Sequence, residues 1–174
     1  SAYTSSELDT KILENLMPAT VLVDEKNTLQ HSYGSCQDFI TIPAGQVTLD
    51  IFSLVRTDLK IAVSKTLKEA RETDSRVSYD KVPVKISNKP EYITVVATPV
   101  ADKLGDKTGM VAVSFIRENR PLPDDVKDFN IDTASAERIS DLEKELHLTQ
   151  DNLKNTVTEL ESVNAELQAA NEEL

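Results

Sequence analysis

After Pro123 the chain contains neither glycine nor proline as far as Leu174. Within that stretch Ile139, Leu146, Leu153, Leu160, Leu167 and Leu174 fall on every seventh residue. A second row three residues on (Leu142, Thr149, Thr156, Val163 and Ala170) is apolar or small at most positions. A seam two positions wide in seven is too narrow for a helix buried in a globular core, and it is the pattern of a coiled-coil helix. From Ala134 to Leu174 such a helix would run about 60 Å at 1.5 Å per residue. The repeat is still running at Leu174, so the chain reads as a fragment: a signalling module with the connector helix that leaves it.

The seam has two possible registers. Pairing the leucine row with Leu142, Thr149, Thr156, Val163 and Ala170 buries more apolar surface. Pairing it with Glu143, Gln150, Val157, Asn164 and Asn171 stays open, because asparagine at a seam fixes register. In the first register Glu145, Asn152, Glu159, Glu166 and Glu173 flank one side of the seam, and the alternative row flanks the other. No Lys/Arg row complements them, so flanking charge somewhat opposes self-pairing. A weak parallel homodimer is the expectation.

Charge separates the chain into two parts. Residues 1–117 hold 14 Lys/Arg and 15 Asp/Glu, whereas residues 118–174 hold 5 and 15. The acidity belongs to the tail, which argues against nucleic acid or an anionic membrane as its partner. Cys36 is the only cysteine, so neither a disulfide framework nor a cysteine-built zinc site is available, and a reducing, cytoplasmic setting fits. No apolar run reaches membrane-spanning length, which leaves no basis for membrane insertion.

Taken in order, the spacing Ser6 to Asp9 suggests a helix cap, followed by Leu8, Ile12, Leu13, Leu16 and Met17 at helical spacing and a stop at Pro18. This N-terminal cover helix, residues 1–17, either packs on the next domain or pairs with its copy in a dimer. Ala19–Val23 and Leu29–Tyr33 read as a hairpin around Asp24–Asn27. An irregular stretch follows, then a short helix at Leu49–Val55. A clearer helix runs from Asp58 to Arg71, with Leu59, Ala62, Val63, Leu67 and Ala70 on one face.

Val77 and Tyr79 have the opposite parity to Val82, Val84 and Ile86, which requires a bulge near Asp80-Lys81. Ser87–Pro90 makes a turn. Tyr92–Val100 and Met110–Ile116 complete a three-strand meander, with Pro83 and Pro99 at edges, bulges or strand ends. The fold class is α+β: five antiparallel strands with helices on one face. This domain covers residues 18–117, residues 118–133 form a linker in which Phe129 and Ile131 are free to dock, and residues 134–174 form the long coiled-coil helix.

That element order is the order of a PAS domain, and the wording is closer still. The run from Ile12 to Asp24 (ILENLMPATVLVD) resembles the opening of PAS modules in chemotaxis methylesterase–methyltransferase (CheB/CheR-type) fusion proteins. Tyr33-Gly34, Phe39-Ile40, Pro43-Ala44-Gly45 and the Leu59–Ala70 helix follow the same template. Thr158–Leu174 (TELESVNAELQAANEEL) is very like their connector helix. The resemblance implies a PAS fold and a sensory or dimerising role in bacterial chemotaxis or two-component signalling. It also implies a parent that is a protein-glutamate methyltransferase using S-adenosylmethionine in other domains of that parent. The catalytic residues of that activity are not in this chain. One departure stands out: many PAS domains end their last strand with Asp-Ile-Thr, where this chain has Phe115-Ile116-Arg117-Glu118.

Cofactor signals are weak. Cys36 lies in Gly34-Ser35-Cys36-Gln37-Asp38-Phe39, faintly like the photoactive segment of flavin-binding relatives, but their flanking Asn and Arg are missing, which argues against flavin. A haem would need an axial histidine on the Asp58–Arg71 helix, which has none; His31 lies in a strand and His147 in the coiled coil. Gly34, Gly45, Gly105 and Gly109 are scattered, so there is no phosphate loop. No nucleophile–base pair or metal-ligand cluster presents itself, and the chain reads as non-catalytic. A pocket lined by Phe52, Val63, Leu67, Val96 and Val113 is one expectation. The alternative is a filled core in a constitutive scaffold that binds no ligand.

Overall fold

Leu59, Ala62, Val63, Leu67 and Ala70 are almost wholly buried, and the sheet is assembled against them. Four of the five belong to helix α3 (Lys60–Thr73), entered through a 3-10 turn at Thr57–Leu59. The computed structural model describes residues 5–45, 48–117 and 126–174. Before α3 come α1 (Ser5–Leu16), β1 (Ala19–Val23), β2 (Leu29–Tyr33), a 3-10 turn at Cys36–Asp38 and α2 (Ile51–Leu54). After it come β3 (Val77–Ile86), β4 (Lys89–Ala101), β5 (Lys107–Arg117), β6 (Val126–Asp128) and α4 (Ile131–Glu172).

The strands lie in the order β2-β1-β5-β4-β3-β6. The first five pair antiparallel, as expected, while β6 pairs parallel to β3. Among the described residues the sheet therefore has six strands rather than five. The extra one lies in the stretch read as a linker, and the first turn of α4 lies there too. Three residues with a single apolar member give no detectable alternation, which is why β6 escapes a sequence reading. Pro121 and Pro123 lie outside the described residues.

The parity conflict in β3 resolves as a bulge. The β3–β4 register shifts between Tyr79 and Val82, and Lys81 takes a positive φ of 55°. Val77, Tyr79, Val82, Val84 and Ile86 thereby all reach the core. Ser87 and Asn88, both at positive φ, form the two-residue turn into β4, the geometry that matches strand twist. Pro83 lies beyond the reach of β6, which pairs only with Ser78–Asp80. Pro99 lies beyond the last β3–β4 pair and beside a register irregularity. The open side of β3 is closed by side chains: Lys85 N donates to Asp58 Oδ2 at 2.9 Å, and the Arg56 guanidinium donates to Lys85 O. Both devices keep an edge from templating another chain.

The opposite face of the sheet mixes small polar residues with Val96, Leu22 and Ile116. Thr20, Ser114, Val96 and Ser78 form one row across four strands, with Thr20 Oγ1 and Ser114 Oγ 2.8 Å apart. Leu8, Ile12, Leu13 and Leu16 of α1 remain exposed. The expected cover helix thus does not bury its stripe within the chain.

Two compact units result, Ser1–Ala134 and Ser135–Leu174. In the second, Ile139, Leu142, Leu146, Leu153, Leu160, Val163, Leu167 and Leu174 are all exposed, as are Val157 and Leu148. The helix is 42 residues long, about 63 Å.

The core places a clear demand on α3. Leu67→Ala should lower the unfolding free energy by about 2–5 kcal/mol in urea titration. Tyr92→Ala, at a side chain 57% exposed, should cost less than about 1 kcal/mol.

Candidate coupling site

The bulge in β3 turns Asp80 out of the regular ladder, and two other segments, β4 and the residue after β6, attach to it. Its carboxylate Oδ1 accepts from Lys81 N at 2.7 Å and from Thr94 Oγ1 of β4 at 2.9 Å. Its carbonyl accepts from Phe129 N, the residue after β6, at 2.8 Å. β6 itself runs in register with Ser78, Tyr79 and Asp80.

A single carboxylate on α3 closes the arrangement. Lys127 Nζ donates to Glu69 Oε1 at 2.7 Å, and the Tyr79 hydroxyl donates to Glu69 Oε2. The Phe129 ring meets the Tyr79 ring edge-on, with centroids 6.2 Å apart, and packs against the core cluster. The Lys65 and Lys127 ammonium groups lie 5.6 and 5.9 Å from the Tyr79 ring centroid. Burial pushes the Glu69 carboxyl up, but hydrogen bonds from Lys127 and Tyr79, with the Lys127 and Lys65 charges, hold it below the ordinary range. On the outer side Lys81 Nζ meets Asp128 Oδ2 at 3.0 Å, and that bond raises the lysine. Both groups are largely exposed, so this pair adds little stability.

From this anchor α4 starts. Asn130 Oδ1 accepts from Asp132 N and Thr133 N at 3.0 Å each, and Asn130 O accepts from Ala134 N at 3.0 Å. That is a complete asparagine N-cap, and Ala134 in the first turn is buried. Only Phe129 separates β6 from the cap. Of the two linker residues expected to dock, Phe129 does so and Ile131 stays exposed. In place of an Asp-Ile-Thr ending, Arg117 closes β5. It pairs with Asp38 at 3.0 Å and with Glu91 at 3.4 Å, and lies 5.7 Å from the Phe39 ring centroid. Phe39 in turn stacks on Phe115 at 5.0 Å.

Of the residues expected to line a pocket, Val63, Leu67 and Val113 lie within one buried cluster, with Phe52 packed against it. Val96 does not join them. Val95 and Ala97 face α3, so alternation turns Val96 to the opposite face. The nearly unbroken apolar run Ile93–Ala97 conceals that parity. A separate groove of about 300 Å³, lined by Leu29, Cys36, Ile40, Ile42, Leu49 and Leu54 among others, opens beside β2. The Cys36 thiol there donates to Tyr33 O at 3.2 Å and Thr20 O at 3.6 Å, and burial pushes it up. His31 meets the Tyr33 ring edge-on in β2, with centroids 4.4 Å apart, and His147 Nδ1 lies 3.1 Å from Asp151 Oδ2 on exposed α4. Sequence reasoning missed Glu69, Tyr79, Asp80 and Asn130 as a set. The forced bulge at Asp80-Lys81 was the one signal pointing to them.

Solved structures offer several likenesses. The PAS domain of nitrogen regulation protein NR(II) from Vibrio parahaemolyticus is 16% identical, covering 63% of this chain and 97% of that one, at a TM-score of 0.44. A sensory box sensor histidine kinase from Vibrio cholerae is 13% identical over 67% and 94%, at 0.43. The Rhodobacter sphaeroides LOV protein is 13% identical over 68% and 70%, at 0.44. No family model and no curated protein matches the sequence. The chain has a PAS fold. The strand order β2-β1-β5-β4-β3, with the helices inserted between β2 and β3, is what makes it one. Among the described residues no helix is long and apolar enough to cross a membrane.

The anchor should be acid-labile. The folded Glu69 carboxyl lies below its unfolded value, so its stabilisation is present at neutral pH and is lost as pH falls through the folded value. Glu69→Gln should be about 1–2 kcal/mol less stable than the parent at pH 7. The gap should shrink as pH drops below about 4 in urea titrations, and an equal gap at both ends of the range would remove the charge from the explanation.

Proposed function

We propose that the chain is a signal-transmitting PAS module that works as a parallel homodimer, pairing through the α4 seam and through the exposed stripe of α1. The observation that carries this is the shared anchor. Glu69 of α3 holds both the β3 bulge and β6, and β6 leads within two residues into the cap of α4. A change in the core that shifts α3 against the sheet is thereby delivered to the base of the helix. Two arrangements close in energy are enough for switching. The polar Thr149 and Thr156 positions keep the zipper weak enough to have two.

The wording of Ile12–Asp24 and Thr158–Leu174 supports a further step: a cytoplasmic bacterial chemotaxis parent with protein-glutamate methyltransferase activity elsewhere in its chain. The structural likenesses are to a nitrogen regulation protein, a histidine kinase and a LOV protein, so that step rests on wording alone. The module itself performs no reaction in this reading.

A second reading has its own support. Val63 and Val113 are wholly buried in one continuous cluster, as a ligand-free scaffold requires. Native mass spectrometry and an absorption spectrum of the purified chain separate the two, since a bound small molecule is incompatible with the scaffold.

Cut after Asn130, the chain should run as a monomer in sizing with light scattering while the full chain runs as a dimer. A dimer that survives the cut would move the whole interface to α1 and the sheet. Because residues 135–174 hold ten Asp/Glu against three Lys/Arg, two copies of α4 repel through their net charge, and dimerisation of the full chain should strengthen as salt rises from about 50 mM to 500 mM, the reverse of a salt-bridged zipper.

A further inference from the structure

The two halves of α4 carry different charge along one exposed seam. Residues 135–154 contain three Lys/Arg among five Asp/Glu, whereas residues 155–174 contain five Asp/Glu and no cation. In the proximal half a parallel pair of identical helices sets Arg138 of one copy opposite Glu143 of the other, an attractive flank contact. In the distal half the same pairing sets Glu159 opposite Asn164 and Glu166 opposite Asn171, with no opposite charge. Glu159, Glu166 and Glu173 instead form a row of carboxylates seven residues apart along one side of the seam. Val157, Leu160, Val163 and Leu167 between and beside them are 45–63% exposed. A groove lined by Val157, Leu160, Val163, Asn164 and Leu167 runs along this surface.

We infer that the distal half of α4, Asn155–Leu174, is a docking surface for a different helix. That partner carries an apolar heptad seam with Lys or Arg at three successive flanking positions facing Glu159, Glu166 and Glu173. A second copy satisfies the apolar seam and leaves every glutamate without a counter-charge. A cationic helix satisfies both. Exposed pairs are individually weak, so discrimination comes from three in a row at matched spacing, and such complementarity chooses partners more than it adds affinity. Self-pairing then belongs to Ile139–Leu153, and partner capture to the remainder. The inference does not depend on signal transmission by the PAS unit.

The test uses the full Ser1–Leu174 chain and two synthetic helical peptides of three heptads. They share a Leu/Val seam and differ only in flanking residues, lysine in one and glutamate in the other. At 50 mM salt the lysine peptide should bind at least about tenfold tighter, and the advantage should shrink at 500 mM. The triple charge reversal E159K/E166K/E173K, on exposed positions, should exchange the preference so that the glutamate peptide wins. Equal binding of both peptides, or a preference the reversal leaves unmoved, overturns the inference. So does a spin label at position 160 or 167 that reports close pairing between two copies at 50 mM salt and is not displaced by the lysine peptide. Dimerisation read separately by light scattering distinguishes failure here from failure of the homodimer.

Discussion

Asp80 joins β3 to β4 and to the residue after β6 at one point, and the exit of the chain from the sheet depends on it. The bulge that displaces it has a structural cause: without an extra residue, Val82, Val84 and Ile86 would face away from the core that Val77 and Tyr79 enter. Interrupting the ladder leaves the Asp80 carbonyl without a β4 backbone partner and its side chain free to bridge to β4. The carbonyl is taken by Phe129 and the carboxylate by Thr94 and the following amide. A requirement of core packing therefore creates the attachment point of α4. The attachment is not strong. It consists of three residues of parallel pairing, one docked ring, one shared carboxylate and an exposed ion pair, on the order of a few kcal/mol. That is the range in which a conformational equilibrium can be shifted by a modest signal.

The two compact units have opposite surface economies. Ser1–Ala134 buries a continuous apolar cluster and closes the β3 edge with β6, Pro83 and the Arg56–Asp58 pair. No residue of Ser135–Leu174 is fully buried, and its apolar seam residues are exposed. α1 shares that condition. A helix of 12 residues is marginal in water on its own, so the stability of α1 depends on a partner, and the apolar seam of α4 is likewise left to be covered by one. A folded centre flanked by partner-dependent helices suits a connector.

Most of the fold was legible because its signals are periodic. The stripe Leu59–Ala70 gave α3, the parity conflict gave the bulge, and the leucine row gave α4. What escaped had no period. β6 is three residues with one apolar member, and Val96 sits in a run too apolar to show alternation. Glu69 reads as an ordinary surface residue of α3, since its role depends on a lysine 58 positions away. Asn130 was hidden for a related reason. Its capping role becomes visible only when the helix start moves from Ala134 to Ile131. The charge split was plain in the sequence, yet its finer division within α4 became meaningful only once the whole seam proved exposed.

Amide hydrogen exchange of Phe129 and Ala134, compared between the parent chain and Tyr79→Phe/Glu69→Ala, tests the coupling most directly. The two amides report β6 docking and the first turn of α4. Joint loss of protection at both, with the β4 amides of Ile93 and Val95 unchanged, is what a shared anchor requires. Protection lost at Phe129 but retained at Ala134 would show that the start of α4 is held independently of the sheet, and would contradict the coupling.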